Sequence, residues 1–186
     1  MKIKSTLLTV AALALTNAAA LADTFSLTGD TTSGLTFNRT IGDGSILSDV
    51  GTDVHYYGLS FIVGTSGSYD FSAVANNPAN YDTFIHVYDA NFNPVAPLIG
   101  FIAANDDAGA NPNLGSALSG ISLTAGVTYN FVVNGFGNTD FGSFNASISG
   151  PGTINIAPVP EPSIYALVTL GVAGLWFARR RQIAAC

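Results

Sequence analysis

The run Val127-Thr128-Tyr129-Asn130-Phe131-Val132-Val133 decides the fold class. Apolar side chains stand at every second position, so an extended chain places them on one face and Thr128 and Asn130 on the other. The run Ser143–Ser149 repeats this period, with Phe144, Ala146 and Ile148 on one face. A two-residue period predicts strands with one buried and one polar side.

Similar short runs, rich in Val, Ile, Thr, Phe and Tyr, follow one another along the middle of the chain and are separated by turn residues. We predict strands at Phe25–Thr28, Gly34–Ile41, Val54–Val63, Ser68–Ala75, Thr83–Asp89, Ile99–Ala104, Ala117–Leu123, Val127–Asn134 and Ser143–Ser149. Outside the two chain ends, no segment shows a sustained 3.6-residue period. The pattern predicts an all-β protein, an antiparallel β-sandwich of jelly-roll type.

The C-terminal segment has a different organisation. Val159-Pro160-Glu161-Pro162-Ser163 precedes an uncharged apolar run, Ile164–Ala178, and the cluster Arg179-Arg180-Arg181. The prolines favour a stiff extended peptide, and Ser163 suits a helix N-cap. A helix over 164–178 would be about 22 Å long, below the roughly 30 Å of a hydrocarbon core, so a buried core helix is the alternative. The arginines favour a transmembrane helix with a basic cytoplasmic tail at 179–186.

This order of elements resembles the PEP-CTERM sorting signal. The resemblance implies an inner-membrane precursor facing the periplasm of a Gram-negative-type bacterium and recognised by an exosortase, a membrane-embedded cysteine protease. It also implies cleavage near Pro160-Glu161-Pro162 and release to the cell surface or extracellular matrix. Residues 182–186 extend beyond the usual pattern, and we expect them to be cytoplasmic.

The N-terminus has the features of a Sec signal peptide. Lys2 and Lys4 precede a short apolar stretch, and Ala20-Leu21-Ala22 forms an A-x-A site for signal peptidase. Cleavage after Ala22 would leave Asp23 first, and Ala18-Ala19-Ala20 is a competing site. The predicted divisions are a signal peptide at 1–22, a β-sandwich at 23–149, a Gly/Pro linker with the Pro-Glu-Pro motif at 150–163, the membrane helix and the basic tail.

Charge narrows the choice of partners. Between Asp23 and Pro158 the chain has a single basic residue, Arg39, and eleven aspartates, which give a net charge of −10. Such a surface repels nucleic acid and favours cations. The single cysteine, Cys186, lies in the predicted tail, so the sandwich has no disulfide.

A second likeness involves six segments in order. They are Asp53-Val54-His55-Tyr56-Tyr57, Gly67-Ser68-Tyr69-Asp70-Phe71, the strand from Asp82 to Asp89, Asn105-Asp106-Asp107, the run from Leu123 to Tyr129, and Phe141-Gly142-Ser143-Phe144. This order is similar to bacterial pre-peptidase C-terminal domains. The resemblance implies a jelly-roll sandwich of the kind appended to secreted enzymes and surface proteins. His55 replaces an aspartate of the family pattern.

The residues offer little for catalysis. From Asp23 to Pro158 there is no Lys, Cys or Glu, and no G-x-S-x-G or H-E-x-x-H motif occurs. His55 and His86 are interpreted as strand histidines. We therefore expect a non-enzymatic surface or matrix protein without a required cofactor.

A calcium- or polysaccharide-binding module is the alternative. Asp89, Asn91 and Asn93 place oxygen atoms at alternate loop positions, but Pro94 and Gly100 stand where an EF-hand needs Gly and Glu. Turn formation explains the same residues.

Two further sets of residues belong to this alternative. Asp106 and Asp107 could join Asp89 around one Ca²⁺ if the two loops meet, although turn capping also accounts for them. Sugar stacking could involve Phe92, Phe101, Phe136 and Phe141, for which core packing is the default explanation.

Overall fold

A computed structural model describes residues 22–78, 80–108 and 115–156. These residues form ten strands: β1 Ala22–Asp30, β2 Thr36–Phe37, β3 Val54–Val63, β4 Gly67–Asn77, β5 Thr83–Asp89, β6 Phe101–Asn105, β7 Ser116–Leu123, β8 Thr128–Gly135, β9 Ser143–Pro151 and β10 Ile154–Ile156. Within these ranges there is no helix, and hence none that could cross a bilayer. The predicted membrane helix at 164–178 and nearly all of the predicted signal peptide lie outside the described residues.

The strands form two antiparallel sheets. One has the order β1-β9-β4-β7, and the other has the order β10-β3-β8-β5-β6 with β2 paired to β3. Successive long strands alternate between the sheets in the double Greek-key order of a jelly roll. The predicted all-β, antiparallel β-sandwich is therefore confirmed.

The main core lies between the two sheets. Tyr69, Phe71 and Ala73 of β4 are buried, whereas Asp70 between them is exposed. The Phe71 ring lies 5.9 Å from Phe61 and 5.2 Å from Phe131 of the opposite sheet, measured between centroids. These aromatic contacts join the sheets and contribute beyond the area that they bury.

The alternation expected in the run 127–133 is confirmed from its third residue onward. Tyr129, Phe131 and Val133 all lie in the main core. Val127 instead precedes β8 and is 39% exposed, and its N–H donates to the Thr124 carbonyl in a turn. The apolar pattern therefore begins in the turn before the strand.

The outer face of the second sheet is covered, because the chain between β1 and β3 crosses it. β5 is consequently buried on both sides: Ile85 and Val87 face the main core, while Phe84, His86 and Tyr88 are buried on the outer side. A second aromatic cluster forms there from Phe37, Val54, Tyr88 and Val132, with Tyr56, Phe92 and Phe101 packed against it.

This covering segment corrects the strand predicted at Gly34–Ile41. Only Thr36 and Phe37 pair with β3, and Thr40 makes an isolated bridge to Leu47. The apolar residues of the segment reflect packing onto an existing sheet face. Phe37, for example, meets Tyr56 edge to face at 5.1 Å.

A further correction concerns the linker predicted from residue 150. β9 continues to Pro151, and β10 pairs Ile154 with Val63 at the edge of β3. Ile154 is 9% exposed. Three residues are too few to show a period, and the flanking Gly and Pro concealed the strand. At the other end, β1 begins at Ala22, the last residue of the predicted signal peptide.

The outer face of the first sheet is open and polar. Hydroxyl and amide side chains form rows across β1, β9 and β4, with Ser72 and Ser147 Oγ atoms 2.8 Å apart and Thr28 donating to Asn145 at 2.9 Å. A shallow trough of about 360 Å³ lies over these rows.

Candidate functional site

Arg39 lies buried at one end of the covered face and is 3% exposed. Its Nε and Nη2 donate to the Phe136 carbonyl at 2.9 and 2.7 Å, and Nη1 donates to the Thr40 carbonyl at 3.0 Å. The guanidinium carbon lies 4.0 Å from the Phe84 ring centroid and 4.9 Å from that of Phe136. Two rings and two carbonyls thus fix the plane of the guanidinium by cation–π and charge-assisted contacts.

A cleft of about 350 Å³ opens beside this side chain, and we call it the Arg39 cleft. Its walls come from the covering segment, the start of β5, and the chain after β6 and β8. They comprise Ile41, Gly42, Ser48, Asp49, Val50, Phe84, Asp106 and Phe136, together with Arg39. The cleft therefore combines one cation, two carboxylates, two aromatic rings and apolar side chains.

Aspartates surround this end of the sandwich. Partial burial raises the pKa of Asp82, and the charges of Asp140, Asp106 and Asp107 raise it further, while Arg39 partly opposes them. Burial lowers the pKa of Arg39, and Asp106 and Asp82 offset part of that shift. The single basic residue of the sandwich thus lies where its acidic charge is concentrated.

His86 is held on the covered face by two hydrogen bonds. Its Nδ1 lies 2.9 Å from Asn134 Oδ1 and its Nε2 lies 3.1 Å from Thr40 Oγ1. Asn134 Nδ2 donates to the Gly135 carbonyl, so Oδ1 is the acceptor that faces the imidazole. The network assigns the proton to Nδ1, and Nε2 then accepts from Thr40. Burial lowers the pKa of His86 to about 3, so the ring is neutral.

In some enzymes a hydroxyl nucleophile is activated by an imidazole that a third group orients. The network has the same order of groups, with the hydroxyl from Thr40, the imidazole from His86 and the amide from Asn134. All three are 0% exposed. A substrate cannot reach the hydroxyl, so the network fixes the covering segment onto β5 and β8. The interpretation of His86 as a packed strand histidine is confirmed.

His55 is a strand residue of β3, as interpreted from the sequence. Its Nδ1 lies 3.1 Å from the Gly34 carbonyl, and its ring lies 5.2 Å from Phe141 between centroids.

The first predicted calcium loop is a turn. Asp89 accepts hydrogen bonds from the N–H of Asn91 at 2.7 Å and from its side-chain amide at 3.1 Å. Asn93 Oδ1 accepts from the N–H of Val95 at 3.1 Å. The side-chain oxygens of Asp89 and Asn93 thus accept hydrogen bonds within the loop itself.

The two loops do not meet, which corrects the idea of one shared cation. Asp106 follows Asn105, which pairs with Ile85, whereas Asp89 ends the same strand about 13 Å further along. Asp106 and Asp107 instead donate their N–H groups to the Asn105 side chain at 3.0 and 3.4 Å. In the three described ranges, no group of three or more acidic, His or Cys side chains is arranged to hold a metal.

The four phenylalanines proposed for sugar stacking separate into three environments. Phe92 and Phe101 pack on the second aromatic cluster, and Phe141 packs on His55. Phe136 alone among them lines the Arg39 cleft.

Most of the residues predicted to act in processing belong to the two ends of the chain. Ala20, the sorting residues Val159, Pro160, Glu161, Pro162 and Ser163, and the arginines at 179–181 lie outside the described ranges. Ala22 lies inside them, at the start of β1.

Sequence reasoning missed the grouping of Arg39 with Asp82 and Asp140. The available signal was that one arginine stands among eleven aspartates, because an isolated cation in such a chain favours a fixed, specific environment. The partners themselves are more than 40 residues away in sequence, and only strand pairing brings them together.

Comparison with family models identifies the C-terminal segment. Residues 158–182 match the PEP-CTERM protein-sorting motif, as the sequence predicted. The motif implies an exported protein that an exosortase processes at the membrane. The resemblance to pre-peptidase C-terminal domains stays a prediction. The chain matches no curated protein.

Three solved structures show remote similarity to this chain. The Yersinia pseudotuberculosis-derived mitogen is 12% identical at a TM-score of 0.35, covering 77% of this chain and 93% of that one. CBM35 from Cellvibrio japonicus Abf62 is 9% identical at a TM-score of 0.36, covering 72% of this chain and 98% of that one. The K1 cleaved adhesin domain of Porphyromonas gingivalis Lys-gingipain is 15% identical at a TM-score of 0.34, covering 72% of this chain and 98% of that one. Similarities at these scores say nothing about function.

Proposed function

We propose that this chain is the precursor of a non-enzymatic cell-surface or extracellular-matrix protein that an exosortase cleaves near Pro160-Glu161-Pro162. The match of residues 158–182 to the sorting motif carries this proposal. Signal peptidase removes residues 1–22 during export. The apolar run at 164–178 then holds the precursor in the inner membrane, with Arg179–Arg181 in the cytoplasm, until the cut releases the sandwich.

Two observations support a role in binding or surface coating. The hydroxyl–imidazole pair of Thr40 and His86 has no access to solvent. His55, the other histidine, uses one ring nitrogen on a backbone carbonyl. The Nε2 atom of His55 is left as a possible base, but no hydroxyl or carboxyl group of the described residues hydrogen-bonds to its ring, so no nucleophile is paired with it there.

The sorting motif begins close to the sandwich. β10 ends at Ile156, and four residue steps to Pro160 span at most about 14 Å, while eight steps to Ile164 span at most about 28 Å. The sandwich therefore stays near the membrane until cleavage, and the protease works beside β10. A short tether keeps the cleavage site at the bilayer surface, where a membrane-embedded protease acts.

The proposal is tested by expressing the full chain in a bacterium that carries an exosortase and in the same strain without it. We expect the sandwich in the medium or surface fraction of the first strain and in the inner-membrane fraction of the second. Replacing Pro160, Glu161 and Pro162 by alanine should retain the protein in the membrane even when the exosortase is present.

The matched control is Asn155→Ala, which changes an exposed residue of β10 outside the matched segment and should leave release unchanged. Equal release with and without the exosortase would contradict the proposal. So would normal release of the triple-alanine variant.

A further inference from the structure

We propose that the Arg39 cleft binds a sugar residue through uncharged vicinal hydroxyl groups. The inference stands on the cleft alone and does not depend on how the protein is sorted. It starts from the hydrogen-bonding groups that the fold brings to the cleft without giving them partners.

The first of these groups belongs to Arg39. A guanidinium has five N–H donors, and three of them reach the Phe136 and Thr40 carbonyls. Two N–H bonds of a side chain that is 97% buried therefore find no acceptor among the described residues. The charge is fixed in place, so it can donate to a ligand without losing further side-chain freedom.

Acceptors line the same cleft. The carboxylates of Asp49 and Asp106 accept no hydrogen bond from the residues that the structure describes, although both residues form part of the wall. A hydroxyl group is both donor and acceptor, so neighbouring hydroxyls can accept from Arg39 and donate to a carboxylate. This complementarity favours a polyhydroxylated ligand.

Charge argues against an acidic ligand. Two aspartates and one arginine line the cleft, and the sandwich as a whole has a net charge of −10. An acidic sugar would meet repulsion from Asp49 and Asp106 that an uncharged sugar avoids.

The remaining wall suits the C–H face of a sugar ring. Phe136 is half-buried and offers part of its ring, and Ile41 and Val50 add apolar surface, with Val50 54% exposed. The cleft volume of about 350 Å³ falls in the range of small-molecule sites, about 300 to 1,000 Å³.

The test uses the full chain purified in detergent and saturation-transfer NMR with methyl glycosides of glucose, galactose and mannose, and with glucuronic acid. At least one neutral glycoside should receive saturation, and glucuronic acid should bind more weakly than methyl glucoside. Asp49→Asn should weaken the binding about tenfold, because a hydrogen bond to a charged acceptor is lost.

The control is Asp53→Asn, which removes the same charge from an exposed position of the same covering segment outside the cleft. It should leave binding unchanged. Absence of a signal from every neutral glycoside, stronger binding of glucuronic acid, or equal effects of the two substitutions would each overturn the proposal.

Discussion

The outer faces of the two sheets differ in what covers them. On β1, β9 and β4 most outward side chains are short and polar, with Val74 as an exposed exception, and several hydrogen-bond to one another across the strands. On β5 the outward side chains are Phe84, His86 and Tyr88. The chain between β1 and β3, which includes the buried Arg39, covers them. Stability and the Arg39 cleft therefore depend on the covered face, whereas the open face tolerates change. The predictions below test this difference.

Arg39→Ala should have the largest effect. The substitution leaves the Phe136 and Thr40 carbonyls without their charged donor and removes the contact with two rings. We expect the free energy of unfolding to fall by about 3 kcal/mol, measured by urea denaturation of the released protein. Arg39→Lys keeps the charge but loses the planar fork and should give an intermediate loss. A loss below about 0.5 kcal/mol for the alanine variant would show that the covered face does not need this residue.

His86 should make the covered face sensitive to acid. Its folded-state pKa of about 3 lies below the ordinary value of 6.5, so the unfolded chain binds a proton that the folded chain excludes. The contribution of neutral His86 to the free energy of unfolding is therefore fully present above pH 6.5. It falls as the pH drops toward 3, by up to about 1.4 kcal/mol per pH unit.

The measurement is urea denaturation at pH values from 7.5 to 5. Over this range the fall in the free energy of unfolding due to His86 should reach about 2 kcal/mol. His86→Gln should lose most of this pH dependence at some cost in stability, whereas His55→Gln should retain it. A pH dependence that is the same in all three proteins would exclude His86 as its cause.

Two aspartates should respond in opposite directions to conversion to asparagine. Asp82 has a raised pKa, so its charge costs stability at pH 7, and Asp82→Asn should raise the melting temperature. Asp70, on the first sheet, has a lowered pKa because it accepts from Ser119 Oγ at 2.6 Å and from the Gly120 N–H at 2.9 Å. Asp70→Asn should lower the melting temperature. Shifts of the same sign would contradict this account of the acidic end.

Ser147→Ala should have the smallest effect. It removes one hydrogen bond to Ser72 at the half-exposed centre of the open face. Water can replace that bond, so the change in unfolding free energy should stay within about 0.5 kcal/mol by urea denaturation. A loss as large as that of Arg39→Ala would mean that the open face is covered or structural after all.

The same contrast explains what could be predicted from sequence. Strands with one open face, such as β9, alternate Phe144, Ala146 and Ile148 with polar residues, and the prediction was correct. β5 was found from its composition, but the burial of both of its faces depends on a segment that starts more than 40 residues earlier. The segment Gly34–Ile41 was read as one strand because covering residues are as apolar as strand residues.

The sites show a similar limit. Asp89, Asn91 and Asn93 have the right spacing for a metal loop, yet the Asp89 and Asn93 side chains accept the short-range hydrogen bonds that turns make. The Arg39 cleft joins residues from four parts of the chain, so no local pattern could reveal it. By contrast, the sorting motif is continuous in sequence and was recognised directly.

The intact mass of the protein released by an exosortase-bearing host tests the central claim most directly. Processing at both ends predicts a species that begins at Asp23, or at Leu21 if the competing site is used, and that ends at or near Pro160–Pro162. A released species that still contains the apolar run at 164–178 or the arginines at 179–181 would contradict the proposed sorting.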